Sequence, residues 1–159
     1  MNAIDTQLAG YLYPDHNEIS EILNEPSIDY GTLPGDKMLM VQAIKQGLSL
    51  AFFNLVKSNS PFNDEEWSRF LDISKRSLDR FKAAKNHVFK SIQSEKIIEL
   101  AGVAKLGVAV FGNKNNFNDW LHTPSFALGN NKPIDLLGTS PGRELVEREL
   151  YAIEHGVFV

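Results

Sequence analysis

The chemistry easiest to read in this sequence lies in Lys75, Arg76, Ser77, Arg80, Lys82 and Lys85. If Ser74 caps a helix running to about Ala83, Leu78 and Phe81 turn inward and these polar side chains turn outward. Arginine presents a planar fork suited to guanine O6 and N7, whereas lysine holds a phosphate as a point charge. Arg76, Ser77 and Arg80, in the first turns, would reach base edges. Lys82 and Lys85, further along, would hold phosphates, and the helix N-terminus itself can face one. A basic face that is merely solvated fits the same residues.

Bond-making chemistry finds little support. Gly102, Gly107 and Gly112 suggest a phosphate loop, but Val108 and Ala109 stand where its Lys-Ser/Thr pair would be. His16, His87, His122 and His155 are far apart in sequence and form no helical metal pair. Glu154 and His155 are adjacent, and adjacent helix residues do not face each other. Neither a Gly-x-Ser-x-Gly elbow nor a His-Glu-x-x-His motif occurs. Nothing in the sequence favours an enzyme, a metal or a cofactor.

The basic face needs a scaffold. Asn63 and Glu66 are spaced as a capping box, opening a helix to about Leu71. Asp72 and Ile73 then make a tight turn before Ser74. Trp67, Leu71, Ile73, Leu78 and Phe81 take the inward positions of a helix-turn-helix, with Asp72 where glycine is usual. A plain helical hairpin would show the same apolar pattern. Before it, Met38, Val41, Ile44, Leu48, Ala51, Phe52 and Leu55 give helical periodicity broken at Gly47, so two short helices or one bent helix are allowed. After the loop Lys85-Asn86-His87, a helix from about Ser91 to Phe111 is apolar on most sides and reads as a buried spine. Gly102 and Gly107 inside it imply close helix approach, and Gly112 ends it ahead of a turn from Asn113 to Asn116.

Charge is unevenly placed along a chain whose net charge is −4. Up to position 36 there are seven acids (Asp5, Asp15, Glu18, Glu21, Glu25, Asp29, Asp36) and no Lys or Arg. This region reads as an acidic arm that packs on the body or on a partner, with one short helix after Asn17 around Ile19, Ile22 and Leu23, or else as simple disorder favoured by its acidity. From Ser74 to Lys96 seven bases stand against Asp79 and Glu95, a local surplus that a polyanion would feel within a Debye length. With no cysteine there is no disulfide framework. No apolar run reaches the roughly 18 residues needed to span a bilayer, and no basic, apolar leader opens the sequence. A cytoplasmic location without a membrane is the simplest expectation.

The last stretch opens with a capped amphipathic helix. Thr139 or Ser140 can cap it ahead of Pro141 and Gly142, and Glu144 is expected in the first turn. Val146, Leu150 and Ile153 share one face, while Arg143, Glu147, Arg148, Glu149 and Glu154 are expected on the other. His155 and Gly156 close the helix, leaving Val157, Phe158 and Val159. That apolar tail either folds back on its own helix or serves as a peg for a partner's pocket.

Trp120-Leu121, Pro124, Leu128-Gly129, Pro133, Leu136-Leu137, Thr139, Gly142, Val146, Leu150 and the run from Ile153 to Phe158 resemble, in order and spacing, the toxin-binding domain of Xre/MbcA/ParS-type antitoxins. Ala152 stands where that family usually has a basic residue. The resemblance implies an all-α protein in which a helix-turn-helix module and a small helical toxin-binding domain share a long central helix. It divides the chain into an arm (1–35), an Xre-like helix-turn-helix domain (36–112) and a toxin-binding domain (113–159). It further implies a cognate RES-domain toxin that consumes NAD, with the antitoxin's C-terminal end at the mouth of its cleft. Val157, Phe158 and Val159 would enter the cleft, and Arg148, Tyr151, Glu154 and His155 would form a polar rim. Operator DNA, homodimerisation and autorepression are the other implied partnerships. A stand-alone transcription factor using the C-terminal domain for dimerisation or localisation is the alternative.

Overall fold

The computed structural model describes residues 37–157, which form eight helices, one 3-10 turn and no strand. The acidic arm, its short helix after Asn17, Phe158 and Val159 lie outside the described residues. Helix α1 (Lys37–Gln46) and α2 (Leu50–Asn59) are separate. Gly47 between them has φ +84°, and a side chain there would overlap the Phe89 carbonyl. Ser49 caps α2 by accepting from the Phe52 N–H at 3.2 Å.

Helix α3 (Asp64–Phe70) opens on the expected capping box. The Glu66 N–H donates to Asn63 Oδ1 at 2.9 Å, and the Asn63 N–H donates to Glu66 Oε2 at 2.8 Å. Asp72 takes the left-handed conformation, φ 55°, so aspartate does serve where glycine is usual in this turn. Helix α4 (Lys75–Ala84) starts at Ser74, whose Oγ accepts from the Ser77 N–H at 3.0 Å. Left-handed Lys85 ends it.

Helix α5 (Ser91–Phe111) is the spine. Its buried Ser94 hydroxyl accepts from the Leu48 N–H at 2.9 Å and donates to the Phe89 carbonyl at 3.2 Å, fixing the α1–α2 link and the entry to α5 together. Ile97, Ile98, Leu100 and Val103 are buried, but Ile92 is exposed, so the first turn of the spine projects beyond the core. Gly107 has the expected role, since the Phe117 ring fills the space a side chain would need. Gly102 does not: a methyl group there would meet nothing within 4 Å.

Beyond Gly112 (φ +80°), the expected turn shortens to Asn113, whose side chain caps α6 (Lys114–Leu121). A 3-10 turn (Phe126–Leu128), α7 (Pro133–Leu136) and α8 (Ser140–Glu154) follow, and α8 packs on α5, α7 and the turn. Edge-to-face pairs Phe53–Trp67 (5.0 Å) and Phe62–Phe70 (5.3 Å) anchor the first half of the core. The same core runs without a break to Phe117, Leu121, Leu137, Val146 and Leu150. Each such large side chain contributes about 1.5–3 kcal/mol on burial, so the two halves stabilise one another through α5. No helix among the described residues is long and apolar enough to cross a membrane.

Candidate binding surfaces

The outer face of α4 exposes Lys75, Arg76, Asp79 and Arg80, with Lys85 exposed just beyond its end. The Arg80 guanidinium lies 5.6 Å from the centroid of the Phe81 ring, while the residue stays exposed. Lys75 sits 3.8 Å from Glu65, but both are so exposed that the pair contributes little. Ser77 is half-buried, and its Oγ accepts from the Ser74 hydroxyl at 2.9 Å, tying it to the cap.

Lys82 departs from this pattern. Its Nζ donates to Asp64 Oδ2 at 2.7 Å, and Lys57 pairs with the other oxygen of the same carboxylate. Hydrogen bonds from Lys57 and Lys82 hold the Asp64 carboxyl below its ordinary range. The side chain expected to hold a phosphate thus ties α4 to the start of α3 and to α2. Behind the face, His87 stacks on Phe81 with centroids 3.6 Å apart. Burial, and secondarily the Arg80 charge, push its pKa down, so it adds no positive charge near neutrality.

At the other end, Thr139 rather than Ser140 caps α8, accepting from the Gly142 N–H at 3.2 Å. Gly142 is required: a side chain there would overlap the Leu136 carbonyl oxygen. Glu144 falls beyond the first turn, which holds no acid. Arg143, expected on the outer face, is 6% exposed. It donates to the Leu137 carbonyl at 2.9 Å and to Ser140 Oγ at 3.3 Å, and pairs with Glu99 of α5. The reason is periodic: Arg143 lies three residues before Val146 and seven before Leu150, on the core side of the helix. Glu147 is half-buried, and burial, reinforced by nearby Glu99, raises its pKa.

Arg148, Tyr151, Glu154 and His155 are all exposed near the end of α8. The Gly156 N–H donates to the Ile153 carbonyl at 3.2 Å and the Val157 N–H to the Ala152 carbonyl at 2.8 Å, with Gly156 at φ +66°. This is a Schellman motif, in which an apolar residue at the position of Val157 often covers the helix. Here Val157 remains 57% exposed.

Residues 39–102 match the family model of the antitoxin Xre-like helix-turn-helix domain, and residues 106–156 match that of the antitoxin Xre/MbcA/ParS C-terminal toxin-binding domain. The chain belongs to the Xre/MbcA/ParS antitoxin family. This antitoxin is 36% identical over 86 residues to the Prs ADP-ribosylating antitoxin of Sphingobium sp. (strain YBL2), covering 48% of this chain and 54% of that relative. It therefore spans about half the length of the curated relative it matches. Its fold is also similar to a chain in the crystal structure of the M. tuberculosis MbcT-MbcA toxin-antitoxin complex, with a TM-score of 0.53 and 27% identity. That likeness covers 67% of this chain and 94% of the other. The two matched segments meet within α5, the helix the two modules share.

In this antitoxin the seam between the modules holds pairings that local sequence patterns do not reveal. His122, at the end of α6, places Nδ1 2.8 Å from the Asn118 carbonyl oxygen and Nε2 2.8 Å from Glu66 Oε1. The Asn118 carbonyl and then Glu66 raise the His122 pKa, against an opposing contribution from burial. Arg69 and Asp135 approach to 3.5 Å across the same seam. Together they border an open cleft of about 440 Å³. No group of three or more His, Asp or Glu that could hold a metal occurs among the described residues.

Proposed function

We propose that this antitoxin binds and silences a RES-domain toxin that consumes NAD, and represses its own operon through α3 and α4. The observation that carries the reading is the end of α8. A Schellman cap turns the chain out of a toxin-binding fold with Val157 left in solvent. In this reading Val157, Phe158 and Val159 fill an apolar pocket at the mouth of the toxin's cleft. Arg148, Tyr151, Glu154 and His155 form the polar rim around it. Blocking entry needs no chemistry from the antitoxin. The working division is an arm (1–35), a DNA unit (36–112) and a toxin unit (113–159).

On DNA, Arg76 and Arg80 face base edges, and Lys75 and Lys85 hold phosphates; Lys82 serves instead as the tie to Asp64. Helix-turn-helix readers act as two-fold dimers on pseudo-palindromic sites, which gives the homodimer. A toxin that bridges antitoxin dimers would raise their effective concentration on the operator. The test is co-expression with the RES-domain protein of the same operon, followed by pull-down, an NAD-consumption assay and a gel shift on the DNA upstream. Co-purification, loss of NAD consumption and a specific shift are expected. A toxin that neither co-purifies nor loses activity would contradict the reading.

A further inference from the structure

We propose that Phe126 is a second apolar anchor for the toxin, displayed on a pre-organised turn beside α8. The proposal rests on the toxin-binding reading above and extends its contact surface beyond the rim and tail.

Phe126 is 83% exposed, whereas every other described phenylalanine is buried or half-buried. Its exposure is not that of a loose loop. The Ser125 N–H donates to the Asn131 carbonyl at 3.0 Å, and the Asn130 N–H returns to the Ser125 carbonyl at 2.8 Å, closing a ring. Inside it, the Leu128 and Gly129 N–H groups donate to Ser125 and Phe126 at 3.2 and 3.0 Å, and Asn131 Nδ2 donates to the Leu128 carbonyl at 2.9 Å. Gly129 and Asn130 supply two successive left-handed residues, φ 65° and 60°. Buried Leu128 and Ile134 fasten the ring to the core. A phenyl held this way loses little conformational freedom when a partner covers it.

The surroundings indicate what the partner is. From Thr123 to Asn131 there is no charged side chain, and depletion of charge around an aromatic marks the core of protein interfaces. The turn lies inside the segment that matches the toxin-binding domain, and it packs on α8, the helix that ends in Val157. A second copy of the antitoxin has other apolar ground in the DNA unit, where Val88 and Ile92 are 53% and 64% exposed. The occupant of the Phe126 surface is therefore an apolar pocket on the toxin.

The experiment measures calorimetric binding of the full antitoxin to the RES-domain protein of its operon, comparing wild type, Phe126→Ser and Phe126→Leu. Phe126→Ser should weaken binding about thirtyfold, the scale of an interface hot spot, and Phe126→Leu should restore most of it. Thermal midpoint, sedimentation and DNA binding of Phe126→Ser should match wild type. A wild-type antitoxin that binds the toxin while Phe126→Ser binds equally well overturns this proposal alone. So does a Phe126→Ser protein whose self-association changes while its toxin affinity does not. A wild-type antitoxin that fails to bind the toxin overturns the function proposed above and this inference with it.

Discussion

Helices α4 and α8 look alike in sequence: each begins at a hydroxyl cap, carries one narrow apolar stripe and surrounds it with charge. Their charges meet different fates. On α4, Arg76 and Arg80 stay in solvent, Lys75 meets Glu65 only at the exposed surface, and Lys82 is drawn into a part-buried pair with Asp64. On α8, Arg143 is buried between Glu99, the Leu137 carbonyl and Ser140. A charge on an amphipathic helix is thus defined by its angle to the apolar stripe: those opposite it can serve a partner, and those beside it hold the fold.

The comparison is broken most severely at Gly142. Gly142→Ala should cost at least about 3 kcal/mol, because the clash is with backbone that cannot rotate away. Thermal unfolding would show it, and a wild-type midpoint would refute the packing described. Arg143→Met should follow at about 2–3 kcal/mol, somewhat below the usual loss for a broken buried pair because the Glu99 side chain is 33% exposed. Arg76→Ala and Arg80→Ala should instead leave stability within about 0.5 kcal/mol. Each should weaken operator binding by about 1–3 kcal/mol in a gel shift. If Arg143→Met spared stability, or the α4 variants lost it, the contrast between the helices would fail.

A smaller effect separates the two glycines of α5. Gly102→Ala should stabilise the protein by about 0.5–1 kcal/mol through helix propensity, whereas Gly107→Ala must displace the Phe117 ring and should destabilise it. Smallest is the seam. The folded pKa of His122 is raised, so its contribution is complete below the ordinary value of 6.5 and is lost as pH rises through the folded value. Wild type minus His122→Gln stability should therefore fall as pH rises above 6.5, by less than about 1 kcal/mol given the exposure of the ring. A difference that grew with pH would contradict the His122–Glu66 pairing.

What was legible in the sequence was local. The Asn63–Glu66 box, the Ser74 cap, the left-handed turn at Asp72, the full span of the spine and the Gly156 stop all depend on residues within a few positions of each other. The resemblance in the last stretch was legible for the same reason. Arg143 departs from the outer face its charge suggests, because its spacing to Val146 and Leu150 sets it beside the apolar stripe. The pairs Lys82–Asp64 and His122–Glu66 join residues 18 and 56 positions apart, which no helical period connects. The exposure of Phe126 depends on a ring closed by backbone hydrogen bonds, and nothing in its side-chain pattern announces it.

If silencing resides in the segment leaving α8, the full chain and one ending at Gly156 should differ in one respect only. Both should be assayed for toxin binding and for residual NAD consumption by the RES-domain protein. The shortened chain should still bind, through Phe126 and the rim, yet leave the toxin active. Equal silencing by both chains would contradict it and assign inhibition to the face of the domain.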